Sequence, residues 1–160
     1  MPLGRDSPAV TRRPLGSDED DLRCRMFAES RDDLLILPPE VRGPLIGMQY
    51  RAWRAQIGAD HLAATHEVLV AGGVAVGLLI LDSDAARVHV VDIVVVRERR
   101  RQGIASGALR AVIDEAGERT VTLWVWSGNA GARSLYEGLG FAATAVTAEG
   151  YLGMERRPER

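Results

Sequence analysis

The stretch VDIVVVRERRRQGIASGALRAV, Val91–Val112, decides the fold. It closes a run from Arg87 to Val96 that is apolar apart from Arg87, His89 and Asp92, which predicts a central strand covered on both faces. Beyond the basic cluster of Arg97, Arg99, Arg100 and Arg101 the period changes. Ile104, Ala105, Ala108, Leu109, Val112, Ile113 and Ala116 recur at helical spacing, with Ser106, Arg110 and Asp114 opposite, predicting a helix from Gly103 to about Ala116 that Gly117 ends.

Upstream, His66–Val70, Gly72-Gly73 and Val74–Leu81 predict a β-hairpin, because paired glycines accept the positive φ angles of a tight turn. A helix is expected over Glu40–Ile57, with Leu45, Met48, Ala52 and Ala55 on its apolar face and an interruption near Gly43, Pro44 and Gly47. Alternation in LRCRMFA, residues 22–28, predicts a first strand. Downstream come a strand at Thr120–Trp126 and a short helix carrying Ala132, Leu135, Tyr136 and Leu139. Gly140 closes that helix, and a strand pair is expected at 141–147 and 151–155. The order is that of an α/β domain. It is not a dinucleotide-binding unit, since no G-x-G-x-x-G follows an early strand.

The 160 residues suit one domain: a flexible tail over 1–20, the domain itself over 21–155 and a short tail over 156–160. One cysteine, Cys24, excludes an internal disulfide framework, and the N-terminus reads as neither export signal nor anchor, so a cytoplasmic protein is expected. The run at 74–81 is too short to span a bilayer. A net charge of -2 argues against nucleic acid as partner, with only the Arg97–Arg101 cluster in favour. His61, His66 and His89 lack metal-ligand spacing, and no metal is expected.

Where the central strand passes into its helix, first-turn amides have no internal partners and the helix dipole adds positive charge. Gly103 permits close approach and the arginines supply cations, a combination suited to a pyrophosphate. A tight turn with solvated arginines accounts for the same residues equally well. A Walker A loop is excluded, because no Gly-Lys-Ser/Thr follows.

The segment Val91–Val112 resembles the central motif of the GNAT superfamily of N-acetyltransferases, Arg/Gln-x-x-Gly-x-Gly/Ala, through Arg100, Gly103 and Ala105. LWVWSGNAGARSLYEGLGF resembles the family's following motif through Asn129, Ala132, Leu135, Tyr136, Gly140 and Phe141. The likeness covers roughly residues 22–155. It implies a GNAT-like acyl-CoA N-acyltransferase fold, a mixed and mostly antiparallel central sheet flanked by helices. It departs from the usual pattern at Arg97, where proline is common, and at Arg101 and Ala105, which replace frequent glycines.

That resemblance implies acetyl-coenzyme A as cofactor. Its pyrophosphate would lie on the amides of Gln102, Gly103, Ile104, Ala105 and Ser106 beside Arg100 and Arg101. Its pantetheine arm would pair with the backbone around Val94, Val95 and Val96, where two strands splay, and its thioester would end near Asn129. The implied reaction is direct acetyl transfer to an amine in a ternary complex, a small molecule being favoured over a peptide. Tyr136 would serve as general acid; the competing reading is a core tyrosine packing its ring against the sheet, a frequent role for an aromatic at such spacing. Asp92 is the candidate base, against a pairing role with an arginine or a cap on backbone, and Glu67 is the reserve. Glu40, Gln49, Tyr50 and Glu67 are candidate acceptor contacts. Trp124 and Trp126 share a strand face as sheet core, acceptor wall or dimer face. The alternative from another class is a noncatalytic acyl-coenzyme A sensor, and many family members form homodimers, for which the late strands are candidates.

Overall fold

The computed structural model describes residues 9–160. Seven strands, β1 Val10–Pro14, β2 Thr65–Ala71, β3 Val74–Ser83, β4 Arg87–Val95, β5 Thr120–Trp126, β6 Ala142–Val146 and β7 Tyr151–Arg156, form one sheet in the order β1-β2-β3-β4-β5-β7-β6. Only β4 and β5 run parallel; every other neighbour is antiparallel. Four helices flank it: α1 Asp20–Glu29, α2 Pro39–Asp60, α3 Ile104–Ala116 and α4 Ala130–Gly138. The expected mixed, mostly antiparallel sheet flanked by helices is the architecture found.

The larger core lies under α3 and α4, where Ile104, Leu109 and Tyr136 pack on Leu69, Leu79, Val90 and Leu123. A smaller core on the opposite face joins Met26 of α1 and Ile57 of α2 to Leu78 and Ile80 of β3. Each fully buried side chain of this kind stabilises the fold by roughly 1.5–3 kcal/mol. The central strand is therefore covered on both faces, as its unbroken apolar run requires. Gly72 and Gly73 turn the β2–β3 hairpin at φ of 60° and 75°.

Four local expectations are corrected. Residues 22–28 lie within helix α1, not in a strand. Leu22 and Met26 are four apart, a spacing that strand and helix share, and Asp20 and Asp21 in the first turn favour the helix dipole. The first strand is instead β1, inside the segment expected to be a tail; residues 1–8 of that segment lie outside the described residues. β1 pairs with β2 from Val10↔Ala71 to Pro14↔Glu67, pinned by Arg12 against Glu67 at 2.8 Å and Glu115 at 2.6 Å.

Helix α2 runs unbroken through Pro44, whose side of the helix is solvent-exposed, so the carbonyl freed by the missing N–H can meet water. Its inward face is also not the one expected. Tyr50, Trp53 and Ile57 turn inward, Tyr50 and Trp53 grouping with Phe27 of α1 at ring separations of 5.1–5.9 Å, whereas Met48, Ala52 and Ala55 are exposed.

Candidate active site

β4 and β5 are paired only from Arg87↔Thr120 to Val90↔Leu123. Beyond that point each strand stays bound to its other neighbour, β4 to β3 as far as Val95↔Gly77 and β5 to β7 as far as Trp126↔Tyr151. The two strands part, leaving a wedge between them. A bulge in the β3–β4 ladder between Ile80 and Leu81, opposite Val91, adds twist where the parting begins. Gly77 lets β3 approach β4, since a Cβ there would run into the carbonyl oxygen of Val94.

Two clefts meet in the wedge. One, of about 490 Å³, is lined by Asp32, Asp92, Trp124, Trp126, Asn129 and Tyr136 among others. The second, of about 550 Å³, is lined by Arg99, Arg101, Gly103, Ala105, Ser106 and Leu135 among others. Ile93, Val95, Arg100, Ala132 and Tyr136 border both.

The backbone edge of β4 differs by one residue from the expected register. The amide of Val96 donates to the carbonyl of Val76 at 2.9 Å and its carbonyl accepts from Arg99, so Val96 has no main-chain group to offer. Backbone direction alternates along a strand, so Val94 also faces β3, and the carbonyl of Val94 beside Gly77 agrees. Ile93 and Val95 present their backbone to the wedge, where the Val95 carbonyl accepts from Arg100 Nε at 3.0 Å.

Arg101 at φ 60° and Gly103 at φ 80° bend the chain into α3. Gly103 is the N-cap and supplies no side chain, leaving the amides of Ile104, Ala105 and Ser106 uncapped at the second cleft. Arg99 and Arg101 border this cleft. Arg100 turns away from the helix: its guanidinium binds Asp32 at 2.7 Å, the carbonyl of Glu29 at 2.5 Å and that of Val95. The Gln102 side chain folds back on Arg99 and on the Glu98 carbonyl, at 3.1 and 3.3 Å.

Asp92 borders the wedge without an ion pair among the described residues. Burial pushes its carboxyl up to about 6, opposed by a hydrogen bond from the Ile93 backbone. Tyr136 is 8% exposed and packs edge-on to Phe141 at 5.9 Å. Its phenol is pushed up to about 12, first by burial and then by the charge of Asp92, which places the two groups in one electrostatic environment. Asn129 caps α4 by accepting from the Ala132 amide at 3.1 Å.

Other candidates lie elsewhere. Glu67 is bound to Arg12 and borders a separate hollow with Glu115. Gln49 accepts from Arg31, and the Tyr50 hydroxyl is held between Arg23 and Asp20. Glu40 does not line either cleft. His61 pairs with Asp82 at 2.8 Å and stacks on His89, which in turn bonds Thr122, away from both clefts. Among the described residues no group of three or more His, Cys, Asp or Glu side chains could hold a metal ion, and no helix is long and apolar enough to cross a membrane.

Sequence reasoning missed Ser30 and Asp32. They sit in ESRDD, read only as a break, and join the wedge through Asp32 pairing with Arg97 and Arg100 at 2.7 Å each. Contacts across such sequence separations leave no local signal.

The family described as Acetyltransferase (GNAT) family matches residues 30–141. Among curated proteins no sequence match is found. Solved structures share the fold. PaiA N-acetyltransferase from Thermoplasma acidophilum in complex with coenzyme A superposes with a TM-score of 0.69 at 16% identity, over 93% of this chain and 99% of that one. The ribosomal-protein-S18-alanine N-acetyltransferase from Escherichia coli gives 0.65 at 21%, over 95% and 96%. A chimera of spermidine N-acetyltransferase from Vibrio cholerae gives 0.68 at 17%, over 92% and 95%. Because the family match spans both the Gly103 turn and the helix that carries Tyr136, the chain belongs to the GNAT family of acetyltransferases, which use acetyl-coenzyme A as acyl donor.

Proposed function

We propose that the protein transfers the acetyl group of acetyl-coenzyme A directly to a primary amine, a small molecule rather than a peptide, within a ternary complex. The observation that carries this reading is the meeting of two clefts at Tyr136, between strands that part after Val90 and Leu123. One cleft suits a donor and the other an acceptor.

The donor set fits a phosphate-bearing thioester. Three uncapped amides, of Ile104, Ala105 and Ser106, stand at a helix N-terminus beside Arg99 and Arg101, and a spread of anionic oxygens is what such a set binds. The outward backbone of Ile93 and Val95 offers an extended arm one strand edge. PaiA, a fold relative, was solved with coenzyme A, which supports the same assignment here. Bound acetyl-coenzyme A supplies the activated acyl carbon and a sulfur leaving group.

The residues of the chain handle protons. The C–N bond forms as the C–S bond breaks, and the proton lost by nitrogen goes to Asp92 or through a water to it. A carboxyl near 6 is ionised at neutral pH yet basic enough to take part. Tyr136, held near 12, stays protonated and presents a hydrogen-bond donor where charge develops on sulfur. A thiolate whose conjugate acid has an ordinary pKa of about 8.5 would not strip the phenol's proton outright, so stabilising that charge is the principal contribution of Tyr136, and the released thiolate takes its proton from solvent. No histidine or cysteine lines either cleft among the described residues, and the cleft serines Ser30, Ser106 and Ser134 have no side-chain base as hydrogen-bond partner there, which supports direct transfer over an acyl-enzyme.

The test is thiol release from acetyl-coenzyme A across a panel of small amines and peptides, with Tyr136→Phe alongside. The expected result is release dependent on an amine and lowered about 10²-fold in the variant, with coenzyme A affinity retained. Binding of coenzyme A with no acceptor raising release above background would overturn the reading in favour of a noncatalytic sensor.

A further inference from the structure

We infer that the acceptor is a primary amine carrying a flat aromatic group, seated on a floor made by the indoles of Trp124 and Trp126. The inference rests on the reading of the wedge as an acetyl-transfer site and names the substrate class of that site.

Both indoles alternate along β5 with Val121, Leu123 and Val125, which enter the main core, so both stand on the opposite face. Neither belongs to a core cluster, and they remain 51% and 50% exposed. Yet both border the same cleft as Asp92 and Tyr136. An aromatic pair left half open beside reactive groups is a surface kept for a ligand.

Glycines on the neighbouring chain segment make room for the rings. A Cβ at Gly153 would meet Cζ3 of Trp124 at 3.0 Å, and one at Gly150 would meet Cζ3 of Trp126 at 2.9 Å. Each indole thus lies over bare backbone. Tyr151 closes the outer side, edge-on to Trp126 at 5.6 Å. Such a floor suits a planar apolar body, which stacks or meets it edge-to-face.

Charge separates this class from others. Asp32 is occupied by Arg97 and Arg100 at 2.7 Å each, and Glu155, on the same face of β7, by Arg157 at 2.8 Å. Asp92 is the cleft carboxylate without an ion pair among the described residues. One carboxylate matches one amine head, and none stands ready for the second ammonium of a polyamine. The occupant therefore has its nitrogen toward Asp92 and a neutral, planar remainder over the tryptophans.

The experiment compares tryptamine and 2-phenylethylamine with n-butylamine, spermidine and a lysyl peptide. It reads kcat/KM by thiol release, and reads binding by isothermal titration calorimetry in the presence of coenzyme A. Aryl amines are expected to exceed n-butylamine at least tenfold in kcat/KM. That ratio should fall toward unity in Trp124→Ala and Trp126→Ala, through KM, and survive in Trp126→Phe; circular dichroism and coenzyme A affinity report that the variants fold. A preference for spermidine or the peptide overturns the inference, as does an aryl-to-alkyl ratio untouched by the alanine variants. So does a dimer, seen by light scattering, that the double variant converts to monomer with the ratio unchanged, for then a second copy covers the floor. Calorimetric binding of aryl amines that the alanine variants abolish, with no amine acetylated, would instead uphold the floor and sink acetyl transfer.

Discussion

Arg100 reaches back to Asp32, Nη1 to Oδ2 at 2.7 Å, joining residues 68 apart in sequence across the mouth of the wedge. The family motif's arginine thereby fastens the 3-10 turn at Asp32–Ile36 to the exit of β4, with Arg97 sharing the same carboxylate. The two guanidinium groups hold that carboxyl below the usual range, Arg97 contributing most.

Separate duties for adjacent arginines follow. Arg101→Ala is expected to weaken coenzyme A binding about fivefold by isothermal titration, the loss of one charge-assisted phosphate contact of about 1 kcal/mol. Asp32→Asn should leave that affinity unchanged or tighter, while faster amide exchange over residues 31–37 reports release of the turn. Equal losses of affinity in both variants would refute the division.

The raised carboxyl of Asp92 predicts a specific pH dependence. For the neutral amine, log kcat/KM should fall with unit slope as pH drops below about 6, because protonated Asp92 can no longer accept a proton. Asp92→Asn should lose both activity and the bend. Its effect on stability has the opposite sign. A carboxyl raised in the folded state binds more protons than in the unfolded chain between its ordinary pKa and about 6, so stability declines as pH rises through that window and the full penalty applies above it. Chemical denaturation at pH 7 should therefore find Asp92→Asn more stable, by roughly 1–3 kcal/mol.

Gly77→Ala tests how the wedge is held open. Its methyl group would meet the Val94 carbonyl and the Leu69 side chain, so β3 and β4 must move apart or β4 must shift into the gap. A loss of about 1–3 kcal/mol or more is expected in thermal unfolding, with coenzyme A affinity falling in whatever protein remains folded. Unaltered melting would show that the close approach is not needed.

Arg12→Ala addresses the N-terminal strand. Removing the guanidinium leaves Glu67 half-buried and unpaired and β1 held by its ladder, the packing of Val10 on the core and the Arg13–Glu19 pair. Stability should fall by about 1–3 kcal/mol, with faster amide exchange across residues 10–14 and little change in acetyl transfer at ambient temperature. A drop in turnover matching that of Tyr136→Phe would instead place Glu67 in the chemistry.

Legibility in the sequence followed the range of the interactions. The β2–β3 hairpin, β4, α3 and the Gly103 turn are written in periods of two and 3.6 and in glycines whose φ is positive, all local properties. The two motifs that resemble the family are likewise contiguous, so Gly103, Asn129 and Tyr136 stand out from the amino-acid order by itself. Tertiary structure decided what depends on distant partners. Leu22 and Met26 fit either a strand or a helix until Ile57, Leu78 and Ile80 pack against Met26. VTRRP reads as a tail until Glu67 and Glu115 neutralise Arg12. The backbone edge of β4 turns on whether Val96 pairs with Val76, a matter of register that side-chain pattern does not encode. Asp92, Trp124 and Trp126 are candidates on sequence alone, but they border one cleft only because β4 and β5 lose their ladder after Val90 and Leu123 while each stays anchored on its far side.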